Sequence, residues 1–207
     1  MEIDKKRKAA KILSAVVIIA GITVIIGWIF DIYFLKSITP SWISMKFDTA
    51  ITFVLSGISL FFIVRAQEGE FDKAQVALSI TSLIIILIMG TMFLSAFLNI
   101  HTGLEDLFIK ETIVSANTVV PGRPSVPTML NFLLIAAAGI LTILNPDKTR
   151  AKLKLIGLFV AAVGAIAIFG YCINAPLLYY YVEGINSAIA LHTAVLFVLL
   201  GIGLLCL

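Results

Sequence analysis

Apolar positions fall in six long blocks separated by short polar ones. Ile12 to Phe30, Ala74 to Leu98, Ser125 to Leu144, Leu155 to Val182 and Gly184 to Leu207 contain no Asp, Glu, Lys or Arg. Each reaches about 18–20 residues, the length that carries a helix across a hydrocarbon core of roughly 30 Å. The block Thr49 to Val64 is shorter, but Lys46 and Arg65 at its edges can snorkel and its helix can start earlier. No block shows the alternation over about ten residues that a membrane β-barrel strand needs. The first is too long for the apolar part of a signal peptide, and no small-residue cleavage site follows it. The pattern predicts an all-α membrane protein with six transmembrane helices.

A short phrase recurs in every second block. It runs from Thr49 through Phe53 to Gly57, from Thr128 through Phe132 to Ala136, and from Thr193 through Phe197 to Gly201. Spacing of four puts Thr, Phe and the small residue on one side of a helix, one turn above another. Each copy opens the second half of an apolar pair. A repeat of this kind sets architecture, here three sequential hairpins over roughly 12–65, 74–144 and 152–207 within a single domain, 1–207. Phe53, Phe132 and Phe197 with Gly57, Ala136 and Gly201 are the expected helix-packing residues. The one long connection, 99–124, places Leu104, Leu107 and Phe108 on one face, opposite Glu105, Asp106, Lys110 and Glu111. That predicts a short amphipathic helix lying on the membrane surface. Asn174 and Pro176 are expected to kink or end the fifth helix.

Composition agrees with the pattern. Of 207 residues, 60% are hydrophobic and 13% charged, against roughly 25% charged in soluble domains. All Lys and Arg residues except Lys36, Lys46, Lys110 and Arg123 fall at one set of helix ends. The positive-inside rule makes that side cytoplasmic, with both termini there and the protein integral to the cell membrane. The net charge of +3 needs no nucleic acid; topology and anionic lipid account for it. Cys172 and Cys206 fall within predicted spans and read as small apolar filler. No basic cluster follows Leu207, so the natural chain is expected to continue into the cytoplasm.

Candidate chemistry gathers at the outer ends of the repeat helices. Asp48, Pro127 and His192 precede the repeat threonines. If the hairpins share an axis, Asp48, Thr49, Thr128, Asn131, His192 and Thr193 would line an outer-side pocket. Open amides at helix starts would favour a carbonyl, quinone-like or anionic ligand there. The competing structural account has each Thr capping its helix. His101 and His192 lie near the same boundary and raise a haem or metal option; Asn131 and Asn174, polar groups within predicted spans, are functional candidates that helix-to-helix hydrogen bonding also explains. No nucleophile–base pair, phosphate loop or paired carboxylate is present, so no catalytic residue, cofactor or enzymatic activity is assigned.

Two stretches carry a resemblance. One is Gly103-Leu104-Glu105-Asp106-Leu107-Phe108 leading to Pro121-Gly122-Arg123-Pro124-Ser125, Thr128 and Phe132. The other is Pro176-Leu177-Leu178-Tyr179 followed by Ala190-Leu191-His192-Thr193-Ala194, Phe197 and Leu200-Gly201-Ile202-Gly203. They resemble the N-terminal multi-helix membrane sensor region that precedes PAS, histidine-kinase or diguanylate-cyclase modules in bacterial and archaeal signalling proteins. Met45-Lys46-Phe47 with Thr49-Ala50, Phe53 and Leu55-Ser56-Gly57 is similar to archaeal members. The resemblance implies the sensory input module of a two-component or related signalling protein. Such a module acts as a homodimer in the bilayer and passes its signal through the sixth helix to a cytoplasmic effector absent from this chain. Two other classes remain open: an accessory subunit docking other membrane subunits through its small-residue faces, and a small transporter or channel.

Overall fold

The apolar blocks fold into α1 (Glu2–Ile29), α2 (Phe47–Gln67), α3 (Phe71–Leu98), α4 (Val126–Leu144), α5 (Arg150–Cys172) and α6 (Leu191–Leu205). Single turns at Tyr33–Lys36 and Pro176–Tyr179 lie between them. This computed structural model describes residues 2–39, 42–98, 100, 102–104, 107–109, 118–145 and 148–207. Five helices are long and apolar enough to cross a membrane. α6 is apolar but has 15 residues, a length of about 22 Å.

Helix limits depart from the apolar blocks where apolarity and helicity part company. α1 starts at Glu2, its first turns held by the Glu2–Lys6 pair at i,i+4. α5 ends at Cys172, and Asn174 beyond it takes a left-handed φ of 54°; Asn174 thus lies past the helix end, outside the span that the apolar pattern assigns it to. The block from Gly184 is not helical until Leu191. Gly184 (φ 71°) sits in a turn closed by the Val182–Asn186 bridge, after which Ser187 to Ala190 are buried without regular secondary structure. These residues are apolar because the bundle covers them. The amphipathic helix expected in the 99–124 loop falls largely outside the described residues, and so does His101. α3 contains a π turn, Ile86–Gly90, which the hydrophobic pattern does not reveal.

Each hairpin, α1/α2, α3/α4 and α5/α6, is an extensively packed pair. Further contacts run between α2 and α3, between α4 and α5, and between α1 and α6. The even helices therefore gather on a common axis, and each odd helix seats against two of them. Lys11 reaches Glu68 in the α2–α3 turn at 2.7 Å. That contact puts the start of α1, the end of α2 and the start of α3 at one end of the bundle, here the basic end.

Residue size on the odd helices is inverted relative to a water-soluble protein. α1 turns Ala10, Ser14, Val17, Gly21 and Val24 inward and shows Ile12, Ile19 and Ile26 outward. α3 shows Leu87 and Leu94, and α5 shows Phe159 and Ile166. Lipid chains can cover such outer faces, leaving close approach of small residues to hold the helices together. Within the hairpins that approach is tight: a methyl group built on Gly201 would lie 2.5 Å from the carbonyl oxygen of Gly157, and one on Gly57 2.9 Å from that of Ser14. At these two positions the small-residue faces are used inside the chain.

Candidate functional site

The three repeat copies start their helices in the same register. Lys46, Ser125 and Ala190 are the N-caps, with nearly identical extended backbones (φ −69°, −66° and −63°; ψ 152°, 152° and 145°). Asp48, Pro127 and His192 are then second in the helix, and Thr49, Thr128 and Thr193 third. The threonines are therefore not caps, which corrects the capping account. Of the three N-caps, only Ser125 caps through its side chain, accepting from the Thr128 amide at 3.4 Å and lying 2.7 Å from the Thr128 hydroxyl.

At this end the helices converge on a cavity of about 10 Å³, room for one water-sized species. Thr49, Thr128 and Thr193, one from each hairpin, line it together with Lys46, Arg123, Ser44 and Ser125. All seven are buried. Lys46 Nζ donates to Thr118 Oγ1 at 3.2 Å. Arg123 Nη2 donates to Ser95 Oγ at 2.7 Å and to the Ile100 carbonyl at 2.8 Å. Both cations reach the cavity from the segments that lead into α2 and α4, Lys46 tied across to the second hairpin and Arg123 within it.

One helical turn further in, Phe53, Phe132 and Phe197 form a triangle of rings, each fully buried. Their centroids are 4.8, 5.0 and 5.0 Å apart, tilted or edge-on, the separations at which aromatic quadrupoles attract. They fill the axis beneath the threonines. The third repeat positions turn toward neighbouring odd helices: Gly57 against α1, Gly201 against α5, and the Ala136 carbonyl accepting from Ser82 Oγ of α3 at 3.2 Å.

The remaining expected pocket residues lie elsewhere. Asp48 and Asn131 are buried but do not line the cavity, and the Asn131 amide nitrogen has no partner among the described residues. His192 points away from the axis into a largely apolar groove of about 500 Å³ between α1 and α6, beside Thr23, Val24 and Phe34. It hydrogen-bonds the backbone of Lys36, and its Nε2 is buried without a partner among the described residues. No group of three or more His, Cys, Asp or Glu side chains comes together among the described residues.

Lys46, Arg123, Ser44 and Ser125 join the lining although the sequence pattern does not single them out, since the basic pair reads there only as a topology signal. A signal is nonetheless present: Lys46 precedes its repeat threonine by three residues and Arg123 by five, the stretch that enters each helix. Comparison with protein-family models, curated proteins and solved structures returns no match.

Proposed function

We propose that these residues form the input module of a membrane signalling protein, with six spanning helices in the cell membrane and both chain ends on the cytoplasmic side. The reading is carried by the convergence of one repeat copy from each hairpin on a single polar cavity. α6 runs from that cavity to the basic end, packed along α5 and α1. Occupancy that shifts α6 against them is delivered at the other side of the bilayer, where a cytoplasmic effector outside these residues takes it up. Small sliding of packed helices is an established way to transmit such a change. A homodimer and a kinase or cyclase effector follow from the family resemblance alone. The Phe triangle filling the axis speaks against a channel, and the internal packing of Gly57 and Gly201 speaks against these positions docking other subunits.

The test joins α6 to a histidine-kinase catalytic module in lipid vesicles and follows autophosphorylation. Replacing Thr49, Thr128 and Thr193 together with valine is expected to shift the kinase rate at least several-fold. An unchanged rate, with the variant folded as the parent, removes the input reading.

A further inference from the structure

The groove between α1 and α6 holds an unanswered hydrogen-bonding group. Three polar side chains belong to its lining: Thr23, Ser37 and His192. Thr23 Oγ1 donates to the Ile19 carbonyl at 2.8 Å. Ser37 Oγ lies 2.8 Å from the Thr39 carbonyl oxygen and 3.1 Å from that of Trp42. His192 differs. One of its ring nitrogens is held by the Lys36 backbone, but Nε2 is buried with no partner among the described residues. Buried side-chain nitrogens are normally paired, so the groove is short of one partner.

The ring decides what that partner is. The Lys36 contact favours a proton on Nδ1, so its acceptor is the carbonyl, and in the neutral ring Nε2 carries the lone pair. A ring protonated at both nitrogens would set an uncompensated charge against an apolar wall, and no Asp or Glu among the described residues lines the groove. Nε2 therefore needs a donor, which a carbonyl or an ether oxygen is not. A charged ammonium would be as costly here as a charged ring. A hydroxyl is the simplest neutral donor. The rest of the lining, Ala, Val, Leu, Ile and Phe side chains around about 500 Å³, suits a hydrocarbon body of small-ligand size. Phe34, Ile38 and Val195 are 76%, 45% and 40% exposed, so the groove opens outward, where lipid covers the bundle.

We infer that this groove binds a bilayer-dissolved molecule with a hydrocarbon body and one hydroxyl, whose O–H donates to His192 Nε2. Phe34, the most exposed wall residue and so the least held by packing, turns aside to admit it. The groove and the threonine cavity share no lining residue, so the inference stands apart from the input reading, and a failed kinase test leaves it intact.

The test is photolabelling of the purified chain in phospholipid vesicles with a long-chain alcohol carrying a diazirine, against the methyl ether of the same probe. Both partition into the bilayer, but only the alcohol donates a hydrogen bond. The alcohol is expected to label the segments 20–38 and 191–196 about 2- to 10-fold more than the ether, the worth of one hydrogen bond. H192F is expected to lose that excess. The control T91V, whose hydroxyl bonds its own helix at Leu87, is expected to keep it. Equal labelling by the two probes means that the groove takes any lipid chain and overturns the inference, as does an excess that survives in H192F. Competition by an unlabelled aliphatic alcohol or by a quinol of equal chain length tells the two sources of the hydroxyl apart; either supports the site, and competition by neither overturns it. Should H192F not fold, nitrogen NMR of the otherwise unmutated chain with labelled histidine decides. An upfield shift of the unprotonated ring nitrogen with the alcohol and not with the ether supports the site, and identical spectra overturn it.

Discussion

Ser125 closes the start of α4 with one hydroxyl, a device neither other copy has. S125A removes the acceptor for the Thr128 amide, and a lost N-cap costs about 1 kcal/mol; a lower unfolding midpoint in detergent checks it. The Phe triangle contributes more. F197A leaves a hole against two other buried rings, and such truncations cost about 3–5 kcal/mol, whereas F197L should cost markedly less. Equal midpoints for the two variants would mean that the rings are not packed as described. At this scale the sequence is informative about Thr, Phe and Gly, because a spacing of four is visible without coordinates. It is less so about Asn131 and His192. A residue one position before a repeat Thr or Phe can face the axis or turn aside from it, and only the crossing of neighbouring helices decides which.

Among elements, helix contact depends on whether backbone or side chain stands in the way. At Gly201 an added methyl meets the Gly157 carbonyl at 2.5 Å and the Ala161 amide nitrogen at 2.6 Å, atoms that cannot rotate aside. G201A is therefore expected to destabilise by about 1–3 kcal/mol, outweighing alanine's helix preference of about 1 kcal/mol. At Gly90 the nearest atoms are side-chain methyls at 3.7 and 3.8 Å, so G90A should be neutral or stabilising. Paired melting curves of the two variants test the distinction. The apolar blocks reveal six elements but misplace the starts of α1 and α6. Block limits mark where charge is tolerated, whereas helix limits depend on caps, turns and positive-φ residues. The buried non-helical stretch Ser187 to Ala190 reads as helix in the apolar pattern because residues covered by protein look as apolar as residues covered by lipid.

For the molecule as a whole, the opposed ends of the bundle make topology testable. With Cys172 and Cys206 replaced by serine, E183C is expected to react with an impermeant maleimide on intact cells. D72C, exposed in the first turn of α3 at the basic end, should react only after permeabilisation. Reversed labelling would invert the orientation, and labelling of both from outside would contradict six spans. The cyclic arrangement of three hairpins is legible from the repeat. The contact that completes it, α1 against α6, is not, because no spacing in a sequence relates its first helix to its last.

That contact has a consequence for how the molecule is made. During synthesis α1 leaves the ribosome first and α6 last of the six, yet α1 and α6 seat against one another. Until α6 arrives, one of the three places in the Phe triangle is vacant and one flank of α1 is covered only by lipid. Hairpins form locally and early, but the ring shuts late, through the longest-range pairing in the chain, the kind that slows folding most. A chain with two finished hairpins and an open seam is therefore expected to be the folding state most exposed to proteolysis.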